Sequence, residues 1–473
     1  VRAPTVGGRA GVLATRARAW VLLLAAAFAL LQLASVTGRA TPDTKNYVSY
    51  ALTLGGASVR ESAAGTIDHY CGSRAAAAER KQRVDVVRFR APSPAARVAE
   101  ECRRELWRKV DRRLAAGQSG VPIAPFTSER FLRIFEVRPG YPVLLAPFVA
   151  VFGVLWGVWL ASVLIAAAGG VLAFLVLRAV GAPVPVALTG QALYYVLPCG
   201  TTAVRPMTEG VLLALTLTAL WGCALAREGR VRAGVLLVAG SLAALFTVKH
   251  SQALFLGVCL TGACVVVAAR RGLDGERRAR GGERAGREPV EDGLRAVEPW
   301  VRAVGPWVRR SVERWRRRAV DPWVLAVGAV SACAVVGTPA LAALLHYPGS
   351  GESLQDLLTD HFTRPDRARP WPEFLRLEAN FWAEWGRRQL TRPLFLAALV
   401  AGAWGALHRR PVFGWFVLAA ACTGILNQAG HPDITLWGDR LIVVAWLLPV
   451  LGLPLLLERI TTTRDSLDVV TAS

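Results

Sequence analysis

Long apolar runs recur along this chain, separated by short basic turns and by a few longer polar stretches. A run of about 18 or more apolar residues crosses a bilayer as a helix. On that basis the sequence predicts spans at Trp20–Val36, Leu155–Arg178, Val184–Leu197, Thr208–Ala226, Ala233–Val248, Gln252–Ala269, Trp323–Leu345, Pro393–Leu407, Val412–Leu426 and Leu441–Leu457. The expected fold class is an all-α polytopic integral membrane protein with about ten transmembrane helices. The third span is short for a full crossing. The apolar stretch Tyr141–Phe152 is shorter still and suits a re-entrant or surface helix. Arg16 and Arg18 precede the first run, and "ASVTGRA" has the small residues of a cleavage point. The run exceeds a usual signal-peptide core and many spans follow, so it is read as an uncleaved first span.

The polar stretches set the domain organisation. A transmembrane domain over residues 1–457 contains a large first loop, 38–140, and an arginine-rich loop, 271–321; residues 458–473 form a tail. In the first loop Ser93 can cap a helix whose face carries Val98, Cys102, Leu106, Val110 and Leu114. In the arginine-rich loop "GLDGERRARGGERAGRE" is polar and Gly-rich, as in disordered segments. After it Val297, Trp300, Val304, Trp307, Val308, Val312 and Trp315 recur at helical spacing, with arginines largely elsewhere on the wheel. That pattern predicts an interfacial helix.

Composition agrees with a membrane protein: 53% of the 473 residues are hydrophobic, and the mean hydropathy is +0.37. The formal charge of +22 raises the question of nucleic acid, but no nucleic-acid motif accompanies it. The arginines flank apolar spans instead, the positive-inside signature, with attraction to anionic headgroups. With both termini cytoplasmic, "REGRVR", the segment after Arg270, "HRRP" and the tail are cytoplasmic, and all are basic. Loop 38–140, Pro198–Met207, "KHS", His346–Arg392 and Asn427–Arg440 then lie outside.

Candidate chemistry collects in those outside segments. "TPDTKNYVSYAL" places Asp43, Lys45, Asn46, Tyr47 and Tyr50 just after the first span. "RPGYPVLLAP" puts Arg138 before a turn forced by two prolines and a glycine. "HPDITLWGDR" packs His431, Asp433, Asp439 and Arg440 before the last span. Asp68, His69 and Tyr70 cluster in the first loop. Glu209 opens a span, where a carboxylate is costly unless it is functional or paired with a cation such as Arg205. Lys249 and His250 sit between two spans. His431 and Asp433 are too few to argue a metal site, and a divalent metal stays open. Of 8 cysteines, six lie in or near spans as packing residues. Cys71 and Cys102 lie in the first loop and can pair if that loop is outside.

An early carboxylate after the first span, a large first loop, the P-G-Y-P-type turn leading into "LLAP…FG", a short "TE" before a later span and the late "GDRLIVVAWLLPVLGLPLLL" together resemble the GT-C superfamily of membrane glycosyltransferases. The protein-mannosyltransferase and aminoarabinose-transferase relatives of glycosyltransferase family 39 are the most similar. The resemblance implies transfer of a sugar from a polyprenyl-phosphate donor to an acceptor hydroxyl at the extracytoplasmic face, in cell-envelope glycan or glycolipid synthesis. It implies Asp43 as the base and Arg440 as the contact for the leaving phosphate, with Arg138, Lys249 and Arg205 in support. Tyr47, Asp68, His69, Glu209, His431 and Asp433 are candidates for acceptor or auxiliary roles, and Tyr141–Phe152 for a wall against the prenyl chain. The pattern departs from the family after Asp43, where no second acidic residue follows directly. The stretch 346–392 is also too short for the extra domain of protein mannosyltransferases. The rival reading is a transporter or flippase for a lipid-linked glycan, which would place polar sites near mid-membrane.

Overall fold

The computed structural model describes residues 6–120, 122–282, 321–434 and 440–470. Among these the protein is all-helical, with no strand. Seven helices are long and apolar enough to cross a membrane, or eight if the bent pair Pro370–Thr391 and Leu394–Arg409 forms one broken span. The interfacial helix expected around Val297–Trp315 lies outside the described residues, as does Asp439.

The chain begins with α1 (Val6–Leu31), which continues as a 3-10 turn over Gln32–Ser35. Four helices of the first loop follow: α2 (Thr44–Leu54), α3 (Val59–Arg83), α4 (Ala95–Ala115) and α5 (Glu129–Glu136). The bundle continues with α6 (Gly140–Ala179), α7 (Val184–Val196), α8 (Pro198–Ala203), α9 (Thr208–Arg227) and α10 (Val231–Gly282). After these come α11 (Pro322–Leu344), α12 (Ser350–Leu358), α13 (Pro370–Thr391), α14 (Leu394–Arg409) and α15 (Pro411–Ala429). A 3-10 turn, Leu441–Trp446, leads into α16 (Leu447–Val470).

One expected span is shortened and one expected turn is kept. The span expected at Val184–Leu197 is the 13-residue α7, about 20 Å at 1.5 Å per residue and short of the hydrocarbon thickness. The helices expected at Ala233–Val248 and Gln252–Ala269 are the two arms of α10, which part at Lys249 (φ −164°, ψ 95°), where the sequence placed the turn. Gln252 donates to Thr423 near the C-terminal end of α15 (3.1 Å). Arg270 stacks on Trp415 near the start of the same helix. Lys249 therefore sits at the end of the bundle where α15 finishes.

α6 is also two arms. Its helix breaks at Gly153, whose φ of +73° and ψ of 170° are accessible to glycine and strained for other residues. The first arm is the apolar stretch expected to be too short to span. The turn in "RPGYP" falls earlier than its prolines suggest: the helix starts at Gly140, and Pro142 lies in its first turn, where a missing N–H costs nothing. Val143, Val151 and Phe152 are exposed on this arm, whereas Tyr141, Leu145 and Val149 are buried. The arm thus has one face toward the protein core and one outward.

α3 and α4 form a hairpin with a core of its own. The face expected on α4 is real: Cys102, Leu106 and Val110 are buried against Ala63, Ile67, Cys71, Ala124 and Phe126. Cys71 and Cys102 are joined by a disulfide. α3 starts at a capping box in which Ser58 and Glu61 satisfy each other's backbone N–H groups.

Candidate functional site

Asp43 occupies the N-cap position of α2, yet its carboxylate makes no capping bond. It ion-pairs instead with Arg440, about 400 residues away in sequence. The backbone around it is fixed by other groups. The Asp43 carbonyl accepts from the N–H of Asn46 and Tyr47, and the Thr44 hydroxyl accepts from the Thr41 N–H. That hydroxyl also donates to the Pro206 carbonyl (3.0 Å), tying α2 to the segment before α9.

Glu209 stands in the first turn of α9, where the helix dipole favours a carboxylate. Its side chain is 4% exposed and accepts from Nε of Arg440 at 2.9 Å. The other oxygen, Oε2, accepts from the Thr208 hydroxyl at 3.2 Å. So the cation that pairs with Glu209 is Arg440, where the sequence suggested Arg205. Arg440 is held between two carboxylates from segments that meet only in the folded chain. Burial pushes its guanidinium down to about 10, and it remains charged at neutral pH.

Tyr47, Arg138 and Lys249 complete this cluster. Tyr47 is fully buried. Burial pushes its phenol up to about 12 against the pull of Arg138, so it stays a neutral hydroxyl, within interaction range of Thr208, Arg138 and Glu209. Its ring packs edge-on against Phe135 and Tyr141. Lys249, at the break in α10, interacts with Glu209 and Arg138. Nε of Arg138 is buried with no hydrogen-bond partner among the described residues. Arg440, Lys249 and Arg138 thus gather around Glu209, with Asp43 on Arg440.

A second layer closes over this cluster. His431 interacts with Asp356, Lys249, Asp433 and His361, and burial lowers its affinity for a proton. Asp433 follows two residues on, its N–H bonded to the His431 carbonyl. His361 and Asp356, which sequence reasoning missed, are hydrogen-bonded at 3.0 Å. Asp360, His361 and Phe362 all have φ between 51° and 60°, a left-handed run that costs about 1–2 kcal/mol per non-glycine residue. The run is held by Thr359, whose hydroxyl accepts from the Phe362 N–H. Arg130 of α5 also holds it, bonded to Glu352 and Asp366 with its guanidinium over the Phe362 ring. No local sequence signal announces such a turn; glycine would be the usual marker and is absent.

Three expected site residues lie elsewhere. Asp68 is exposed on α3 and pairs with Arg103 (2.8 Å), a hairpin contact. His69 is driven down to about 4 by burial, and its Nδ1 has no hydrogen-bond partner among the described residues. It lines a cavity of about 20 Å³ with Arg39, Ser73, Trp159 and Ser162, room for a single water. Arg205 lines a groove of about 460 Å³ between α1 and α7, whose walls include Leu24, Phe28, Leu31 and Val196, with Arg39 beside it. Among the described residues no three His, Cys, Asp or Glu side chains gather as a metal site would require.

Set against protein-family models, curated proteins and solved structures, the chain matches none.

Proposed function

We propose that the protein is a membrane glycosyltransferase of GT-C type, moving a sugar from a polyprenyl-phosphate donor to an acceptor hydroxyl at the extracytoplasmic face. The observation that carries this reading is the Asp43–Arg440–Glu209 cluster, with Lys249 and Arg138 as further cations beside Glu209. Asp43 takes the proton of the acceptor hydroxyl as its oxygen bonds to the anomeric carbon. The bond from that carbon to the phosphate oxygen breaks, and the phosphate leaves with the electron pair. Arg440, Lys249 and Arg138 neutralise it. Glu209 positions Arg440 by holding Nε.

Two further features support a lipid-borne donor. The groove between α1 and α7 is apolar along its walls and ends at Arg39 and Arg205, a chemistry suited to an apolar chain bearing a phosphate. Arg39 is four residues from Asp43 and Arg205 four from Glu209, so the groove ends on the two segments that carry the carboxylates. This assigns the chain-binding wall to α1 and α7 in place of Tyr141–Phe152. The disulfide between Cys71 and Cys102 fits an oxidising compartment for the first loop.

The transporter reading draws on the broken helices at Gly153 and Lys249, since interrupted spans carry substrate sites in transporters. Here the break at Lys249 lies at the end of the bundle, beside Glu209, which favours the enzyme.

The test is transfer from a panel of radiolabelled polyprenyl-phosphate sugars in membranes, comparing the unaltered protein with Asp43→Asn. Transfer that collapses in the variant at normal expression supports the base role. Equal transfer by both removes Asp43 from the mechanism. Movement of a labelled lipid-linked glycan across vesicles, with no transfer to any acceptor, would replace the enzyme with a transporter.

A further inference from the structure

The tip of the α3–α4 hairpin has a composition that water does not favour. Val84, Val86, Val87 and Phe89 are 80%, 90%, 87% and 53% exposed. They alternate with Lys81, Arg83, Arg88 and Arg90, all exposed. The turn is built rather than loose. The Asp85 carboxylate accepts from the N–H groups of Val87 and Arg88 (2.9 Å each). The Gln82 amide donates to the carbonyls of Arg88, Ala91 and Pro92. These bonds fix a short loop that presents four apolar side chains outward, Phe89 with the Arg90 guanidinium over its ring.

Its position says what covers them. Ser73 of α3 accepts from the Ala40 N–H (3.0 Å). Two turns later Arg80 donates to the carbonyls of Thr37 and Gly38 (3.1 Å each). The candidate span that begins at Arg16 ends at Ser35. α3 therefore passes over the end of the first span, and its next turn carries Val84 beyond it. Only 11% of that span's most apolar stretch is buried within the protein, so this flank of the bundle borders lipid. A loop one turn past the end of a lipid-facing span lies at headgroup depth.

We propose that residues 84–90 dip into the membrane leaflet beside α1, with Val84, Val86, Val87 and Phe89 among the upper acyl carbons and Arg83, Arg88 and Arg90 on anionic headgroups. Apolar side chains with basic neighbours partition into this zone, and arginines reach phosphate from there through their long stems. The loop pins the disulfide-bonded hairpin to the bilayer at the mouth of the α1–α7 groove, and holds α3 over the segment that leads to Asp43. The occupant is an anionic lipid surface, because Lys81, Arg83, Arg88 and Arg90 outnumber the carboxylates beside them, Asp85 and the Glu79 that pairs with Arg83 at 2.8 Å.

The test uses the full-length protein in lipid nanodiscs and is independent of any sugar transfer. Cys259, Cys333 and Cys422, the free cysteines that are not buried, are changed to alanine. An environment-sensitive fluorophore is attached through Val87→Cys. The same label on Arg104→Cys, on the exposed side of α4, is the control. The expected result is blue-shifted emission at 87, quenched by lipids doxyl-labelled near the headgroup and protected from aqueous iodide, with the reverse at 104. Each of Arg83→Gln, Arg88→Gln and Arg90→Gln is expected to weaken insertion about fivefold in anionic nanodiscs, with no effect in zwitterionic ones. Iodide quenching at 87 equal to that at 104, with no response to the doxyl lipids, overturns the proposal. Phe89→Cys gives an independent reading should Val87→Cys misfold, and an intact Cys71–Cys102 crosslink by mass spectrometry certifies the hairpin in each variant.

Discussion

Arginine and carboxylate meet at both ends of this bundle, in opposite proportions. At one end Arg409 and Arg410 share Glu458, at 3.3 and 2.7 Å, and Arg410 also donates to the carbonyl of Val180. At the other end the single Arg440 is shared by Asp43 and Glu209. The first cluster joins the turn between α14 and α15 to the middle of α16, and Arg410 also satisfies a carbonyl left open at the end of α6. Around Arg440 the cluster goes on into further ionisable groups, Lys249, Arg138 and Tyr47, and from Lys249 to His431. The Glu458 cluster stays local, two arginines at helix ends on one carboxylate. The Asp43 end instead gathers ionisable groups of both signs from several segments far apart in the chain.

The contrast breaks or holds under substitution. Asp43→Asn should lower sugar transfer by about 10²–10⁴-fold, the range for a lost general base, with the thermal unfolding midpoint little moved; initial rates and a melting curve on the same preparation decide it. Glu458→Gln should do the opposite. It leaves two half-buried arginines without their carboxylate at a cost of about 3 kcal/mol, read as a lowered melting midpoint with transfer per folded molecule retained. If Glu458→Gln abolishes transfer and Asp43→Asn only destabilises, the assignment of the two ends is reversed.

The hairpin beside the site sharpens the comparison through pH. His69 has its folded-state pKa lowered to about 4 by burial, below the ordinary value near 6.5. The unfolded chain therefore binds the extra proton first as pH falls. Stability is unaffected above about 6.5, declines as pH drops from there to about 4, and has lost up to about 3 kcal/mol below that. His69→Phe should flatten this acid limb, measured by melting between neutral pH and pH 4. The smallest effect is expected at Asp360, whose φ of 51° suits glycine. Asp360→Gly should stabilise the protein by about 1 kcal/mol, and a lower melting midpoint would show that the aspartate holds the turn.

Much of the fold was legible in the sequence because its cues are local. Apolar runs located the helices, and the spacing of Cys102, Leu106 and Val110 located the buried face of α4. The short length of Tyr141–Phe152 anticipated a separate arm of α6. The turn expected at Lys249 is where α10 divides. The cues failed at α7, which is apolar enough to pass for a span while too short to be one.

For the site, the sequence by itself determined which residues were available: a carboxylate after the first span, another opening a later one, and an arginine before the last. Each type is expensive at such depth unless paired, which is why composition and position alone single them out. Tertiary structure decided the pairing. Asp43, Glu209 and Arg440 come from three segments far apart in the chain, and only packing makes one guanidinium the partner of both acids. The same packing sent Asp68 to Arg103, Arg205 to the α1–α7 groove, and the unforeseen His361–Asp356 pair over the cluster. Ion pairing acts over a few ångströms, and which charges come that close is a property of the folded chain.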